Sequence, residues 1–277
     1  MSLSAVGLST GYGTHDVSVG LDLAVEPGSF TVIVGPNACG KSTLLRTLAR
    51  GLKPRAGQVL LDGEDIATLP ARALARRLGL LPQTSTAPDG ITVHDLVSRG
   101  RFPHQTALRQ WSREDALAVE AAMADTGISA LGERAVDELS GGQRQRVWLA
   151  LVLAQQTPTI LLDEPTTYLD ITHQHEVLEL CDQLRRSGRT LVAVLHDLNQ
   201  AARYGTHVVA MRAGEIVAHG EPADVVTEEL VESVFDLPCR VIPDPETGTP
   251  LVVPRRHAGA GAVTAGTDTV TATVAAG

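Results

Sequence analysis

Gly35-Pro36-Asn37-Ala38-Cys39-Gly40-Lys41-Ser42 follows the apolar run Phe30 to Val34 and leads into Leu44, Leu45 and Leu48, which share one face of a helix starting at Lys41. The stretch fits G-x-x-x-x-G-K-[ST] in the strand–loop–helix setting that the pattern needs. Glycines let the main chain wrap round phosphates so that N–H groups face inward, and the helix N-terminus adds positive potential. Lys41 supplies a compact charge for the β- and γ-phosphates of a nucleotide, and Ser42 a hydroxyl for Mg²⁺. Thr43, next along, belongs to the same cofactor-binding set. The bland alternative is a chance match in a glycine-containing turn; the flanking strand and helix argue against it.

Working outward, Thr159 to Leu162 reads as a short apolar central strand with Asp163-Glu164 at its end. Asp163 is a candidate to hold Mg²⁺ and Glu164 to polarise an attacking water. An apolar run ending in two acids is unremarkable alone; beside a phosphate loop it points to phosphoanhydride chemistry. Leu139-Ser140-Gly141-Gly142-Gln143 leads into a predicted helix from Arg144 to Gln155, so small residues stand beside a second helix N-terminus. A second anion site in a chain with one phosphate loop is odd unless it serves another copy of the chain.

Around these elements the pattern is α/β. Leu3 to Thr10 and Val17 to Val25 read as strands, and Gln58 to Leu61 and Glu64 to Ile66 flank the turn Asp62-Gly63. From about Thr84 to Ala154 the pattern turns helical, with Ser112 as a cap ahead of Ala116, Val119, Glu120 and Met123, and reads as an inserted helical subdomain over about 84–154. The α/β pattern then returns: a helix from Ile171 to Arg186 ending at Gly188, a strand from Thr190 to Leu195, and a hairpin from Val208 to Ala218. One domain is expected over 1–255. The Ala/Gly/Thr-rich stretch 256–277 is expected to be disordered.

The chain has 277 residues, 43% hydrophobic but only 3% aromatic, so aliphatic residues must fill the core. A net charge of −9 argues against a broad nucleic-acid footprint, and no nucleic-acid partner is expected. Three cysteines, Cys39, Cys181 and Cys239, suit a reducing compartment. No secretory signal is read at the N-terminus, and no apolar run approaches a membrane span. Any work at a membrane therefore runs through partner chains.

Leu139 to Gln143, about twenty residues before the Asp163-Glu164 strand, resembles the signature of ABC ATPases. Gln83 after Leu80-Leu81-Pro82 resembles that family's Q-loop, Tyr168-Leu169-Asp170 its D-loop and His196 its switch histidine. Tyr12 stands where the family stacks adenine on an aromatic. The resemblance covers roughly residues 1–240. It implies an α/β P-loop NTPase core with an antiparallel β subdomain and the helical insertion, using ATP and Mg²⁺. It further implies a homodimer in which each ATP lies between one chain's residues 35–43 and the other chain's Ser140, Gly141, Gly142 and Gln143. By the same resemblance Gln83 ligates Mg²⁺, His196 meets the γ-phosphate and Asp170 links the two sites. Lys41, Glu164 and His196 are the implied catalytic set, and Ser42, Gln83 and Asp163 the metal set.

Arg99-Gly100-Arg101-Phe102-Pro103-His104-Gln105 is similar to the corresponding stretch of iron–siderophore importer ATPases, as are Asp163 to Asp170 and His196 to Gln200. Haem and cobalamin importers look alike here. The implied protein powers ferric-siderophore uptake from the cytoplasmic side of the membrane, bound to permease subunits and, through them, to a solute-binding protein. In that reading Phe102 is an apolar anchor for the permease, with Arg99, Arg101 and His104 as a polar rim; the bland alternative is a loop that only packs the helical subdomain. A soluble ABC protein acting on nucleic acid or the ribosome is the other-class reading, as is a small-molecule kinase. Cys39 reads as a tolerated loop residue or a redox switch, Cys181 as core, and His173 and His175 as too divergent on a helix to share a metal. Tyr12 as plain strand packing, and Arg144 and Arg146 as a solvated face, are the bland alternatives.

Overall fold

The computed structural model describes residues 2–106 and 111–255, and the tail expected to be disordered lies outside them. β1 (Leu3–Tyr12) and β2 (His15–Val25) form an antiparallel hairpin. β3 (Phe30–Val34) runs into the phosphate loop and α1 (Lys41–Leu48). β4 (Ala56–Leu61) returns antiparallel to β1, and β5 (Glu64–Asp65) completes a sheet in the order β2-β1-β4-β5 among the described residues. α2 (Ala71–Ala75) and β6 (Leu78–Leu81) follow.

The helical stretch contains α3 (Val93–Ser98), a 3₁₀ turn at Arg99–His104, α4 (Arg113–Asp125) and α5 (Gly141–Ala154). Ser112 caps α4 in a reciprocal box with Asp115, which satisfies two N–H groups at that helix end. Beyond it come β7 (Thr159–Asp163), α6 (Ile171–Arg186), β8 (Thr190–Val194), α7 (Leu198–Tyr204), β9 (His207–Arg212) and β10 (Glu215–Gly220). α8 (Pro222–Val225), α9 (Glu228–Phe235) and the hairpin of β11 (Cys239–Pro243) and β12 (Pro250–Pro254) close the described chain.

The second sheet has the order β10-β9-β3-β8-β7-β6, with β9, β3, β8, β7 and β6 mutually parallel along the series and only β10 antiparallel. Strand alternation splits its side chains between two cores. Phe30, Val32, Ile160, Leu162, Leu191 and Ala193 face one way, into the core shared with α5 and α6. Ile33, Leu161, Val192 and Val194 face the other, against α1 and the first sheet. Burial on both faces is why these strands read as continuous apolar runs. Cys181 is fully buried in the first of these cores, and burial pushes its thiol up to about 12, so it is inert packing.

Arg101 departs from the polar rim expected of it. It is 1% exposed; its Nε donates to Asp115 Oδ1 at 2.8 Å, and its Nη1 donates to the Ala154 carbonyl at 2.8 Å and to Gln156 Oε1 at 2.9 Å. A guanidinium is the one cation with a fork wide enough to satisfy three acceptors on separate segments at once. His104 also turns inward, its Nε2 lying 2.8 Å from the Gln155 carbonyl oxygen. Arg99 and Phe102 stay exposed, Phe102 at 62%.

Candidate functional site

The phosphate loop opens where β3 ends. Gly35 has φ 152°, and a side chain there would stand 2.2 Å from the Met211 carbonyl oxygen, so only glycine fits between the loop and β9. Pro36 and Asn37 carry the loop outward, and Ala38 takes φ 61°, a left-handed turn that brings Cys39 back into the core. Gly40 ends the loop as the N-cap of α1. No side chain caps α1, so its first N–H groups open on the loop's hollow.

A cavity of about 420 Å³ lies over that helix end. It is lined by Asn37 to Thr43 from the loop, Val17 from β2, Gln83, Glu164 and His196. The structure thus brings together five segments that are far apart in sequence, four of them because β3, β8, β7 and β6 are parallel neighbours and end on one edge. Lys41, 5% exposed, donates from Nζ to the carbonyls of Gly35 and Pro36 at 2.8 and 2.9 Å, so its charge is held over the loop.

Ser42 Oγ donates to Asp163 Oδ1 at 2.7 Å. The other carboxylate oxygen of Asp163 is buried and accepts no hydrogen bond; Arg46 Nε, at 3.7 Å, is too far for one. Burial pushes the Asp163 carboxyl up, against the Ser42 hydrogen bond and the Arg46 and Lys41 charges. A hydroxyl beside a buried carboxylate oxygen without a donor is a hard-oxygen set that suits a small divalent cation.

Glu164 sits at φ 55°, a left-handed conformation that aims its side chain across the cavity instead of along β7. His196 Nε2 donates to its Oε1 at 2.8 Å, and Thr167 Oγ1 donates to its Oε2 at 3.2 Å. Burial raises this carboxyl, but hydrogen bonds from His196, Gln83 and Thr167 outweigh it and hold the group below the usual glutamate range. It is therefore an ionised acceptor at neutral pH.

Ser140, Gly141, Gly142 and Gln143 do not line this cavity. The helix expected from Arg144 starts three residues earlier, at Gly141, with Ser140 as its cap. Ser140 Oγ accepts from Gln143 N–H at 3.3 Å, and Gln143 Oε1 accepts from Ser140 N–H at 3.1 Å. Ser-x-x-Gln is a capping box, and that spacing makes the earlier start legible in the sequence. Positions Gly141 and Gly142 lie against Tyr168 and Leu169. Asp170 caps α6 through His173 N–H and is also outside the cavity; Tyr12 stands at the tip of β1, 48% exposed. His173 pairs with Asp170 and His175 with Tyr204, so the two imidazoles point to different partners. Arg46, Thr167 and Val17 were not singled out from the sequence. Arg46 alone carried a signal: it lies one helical turn after Ser42, on the face turned to β7.

The ABC transporter family profile matches residues 19–167. The chain is 55% identical to the ferric enterobactin transport ATP-binding protein FepC of Escherichia coli strain K12, over 89% of this chain and 92% of that one. It is 53% identical to the probable siderophore transport system ATP-binding protein YusV of Bacillus subtilis strain 168, over 92% and 94%. It is 42% identical to the hemin import ATP-binding protein HmuV of Streptomyces coelicolor, over 91% and 90%. Among solved structures it resembles an inward-facing metal-chelate type ABC transporter, with TM-score 0.78, 27% identity and 92% and 98% of the two chains covered. A dimeric bacterial ABC transporter cassette gives TM-score 0.72 at 26% identity, over 79% and 98%. A profile spanning more than half of the 277 residues, joined to relatives more than half identical along nearly the whole length, leaves one conclusion: the chain belongs to the ABC transporter family.

Proposed function

We propose that the chain is the ATP-hydrolysing subunit of a ferric-siderophore importer, working as a dimer on the cytoplasmic face of the membrane beneath permease subunits. The observation that carries the chemistry is the convergence of Lys41, Ser42, Gln83, Glu164 and His196 on one cavity. Lys41 and the N–H groups of α1 bind the phosphates, and Tyr12 stacks on the adenine. Ser42, Asp163 and Gln83 hold Mg²⁺, which supplies charge neutralisation on the phosphates when bound. Glu164 orients the attacking water. His196 steadies that carboxylate and reaches toward the γ-phosphate. Among the described residues no helix is long and apolar enough to cross a membrane, so transport needs partner chains.

Two observations support the dimer: Ser140 to Gln143 do not line the cavity of their own chain, and Tyr168 and Ile171, on either side of Asp170, are 77% and 72% exposed. A Lys41→Ala chain and a Ser140→Arg chain should each be inactive alone. Mixed in equal amounts they should recover roughly a quarter of wild-type turnover, since half the dimers are mixed and each has one intact site of two. No turnover above the separate chains would assign both elements to one chain. Exposed Phe102 and Arg99 offer the permease contact.

The cargo reading rests on the names of the relatives, several of which are siderophore systems at 49–55% identity. Hemin import is the second reading, favoured by the relatives at 41–42%. Cells lacking the gene should lose uptake of radiolabelled iron given as a siderophore complex, and regain it with the gene restored. Unchanged siderophore uptake together with lost hemin uptake would move the assignment to haem.

A further inference from the structure

The tip of the β1–β2 hairpin is held by a residue outside it. Arg55, just before β4, donates from Nη2 to the Gly13 carbonyl at 2.7 Å and from Nη1 to the Asp16 carboxylate. Its own N–H donates to the Ser9 carbonyl at 2.8 Å, so the pairing of β4 with β1 aims the side chain along the hairpin. The guanidinium lies over Gly11. A methyl group there would stand 2.1 Å from the His15 carbonyl oxygen and 2.8 Å from Arg55 Cζ, so glycine alone leaves room for both the strand partner and the fork.

The tip needs such a tie. The β1–β2 register breaks between Leu8 and Thr10 and again between Thr10 and Gly11, just before Tyr12 pairs with His15. An interrupted ladder at a strand end frays unless something else closes it. The same hairpin reaches the nucleotide cavity, where Val17 lines the wall and packs on Gly40.

The geometry points to Arg55 as a positioning residue for base recognition: its fork closes the Gly13–Asp16 turn so that Tyr12 is already set against the place of the adenine ring before ATP arrives. This rests on the reading of Tyr12 as the adenine platform. Arginine suits the task because one rigid plane makes both bonds at once, which a lysine ammonium on a flexible stem does not. The tether is partly exposed, so its effect is a preorganisation of modest size, about three- to tenfold in apparent affinity.

The test compares Arg55→Ala, Tyr12→Ala and the double variant in steady-state ATP hydrolysis, with inorganic tripolyphosphate as a competitive inhibitor that has phosphates but no base. Arg55→Ala should raise the KM for ATP about three- to tenfold, with kcat and the tripolyphosphate inhibition constant kept. Tyr12→Ala should do the same, and the double variant should be no worse than Tyr12→Ala, because the two act as one unit. Asp16→Ala, which removes one arm of the fork, should shift KM in the same direction by less. A raised KM in Tyr12→Ala with none in Arg55→Ala would overturn the role of Arg55 and leave the platform standing. An unchanged KM in Tyr12→Ala would remove the platform and the inference with it. Equal weakening of ATP and tripolyphosphate in Arg55→Ala would make the arginine a general support of the fold and overturn the assignment.

Discussion

Glu164→Gln is expected to turn over ATP about 10²–10⁴-fold more slowly than wild type while binding it as tightly. Glutamine has the size of glutamate and tolerates the same left-handed backbone, φ 55° at this position, to about the same degree, so the change isolates the charge. The amide oxygen can still accept from His196 and the amide N–H can donate to the Thr167 hydroxyl, groups that lie 2.8 and 3.2 Å from the carboxylate. What it loses is the negative charge proposed to orient water, and with it a transition-state interaction instead of a ground-state one. ATP with Mg²⁺ should therefore accumulate a stable dimer of this variant, seen by size-exclusion chromatography. Turnover within threefold of wild type would reject the assignment. Lys41→Ala should behave differently, raising the KM for ATP, because the role proposed for Lys41 is to meet the ground-state phosphates.

Arg101→Ala is expected to lower stability by about 3–5 kcal/mol, the cost of leaving a buried carboxylate without its partner. For a chain of this size that is a fall in Tm of roughly 10 °C. Three acceptors on separate segments lose their donor together: Asp115, the Ala154 carbonyl and Gln156. Replacing both partners at once, Arg101→Met with Asp115→Leu, should recover only the part of the loss due to the unpaired carboxylate, because it also breaks the Ser112–Asp115 capping box. The pH dependence follows from Asp115. Burial raises its carboxyl, but the hydrogen bonds from Ser112 and Arg101 outweigh burial and hold it below the usual range. A depressed carboxyl contributes stability above its unfolded pKa of about 4 and loses that contribution as pH falls through its folded value. The deficit of Arg101→Ala, measured by denaturant unfolding, should therefore be full at neutral pH and narrow in acid. A variant of wild-type stability that fails only in transport would return Arg101 to the permease-facing rim.

The sequence by itself determined what depends on neighbours along the chain. The phosphate loop is legible because a glycine pattern, a lysine and a helix start lie within eight residues. The span of α6, Ile171–Arg186, is set by a local cap at Asp170 and a stop at Gly188, which takes φ 93°. The hairpins of β4–β5 and β9–β10 are read from Asp62-Gly63 and Ala213-Gly214, all four at positive φ. The strands that position the site were visible as apolar runs because both their faces are covered.

Tertiary structure alone decided which charged residues are buried in the packing and which stay exposed. Arg101 and Arg99 are two residues apart and indistinguishable by composition, yet one is buried and the other exposed. The difference arises from acceptors 14, 53 and 55 residues away, brought into reach only when α4 and α5 pack on the turn. The same holds for Arg46 and Thr167 beside the acidic pair, for the left-handed bend that aims Glu164 across the cavity, and for the absence of Ser140 to Gln143 from its lining. Capping, turns and periodicity are short-range and survive in the linear text. Ion-pair partners, desolvation and the approach of one strand end to another are consequences of chain closure, so they exist only after folding.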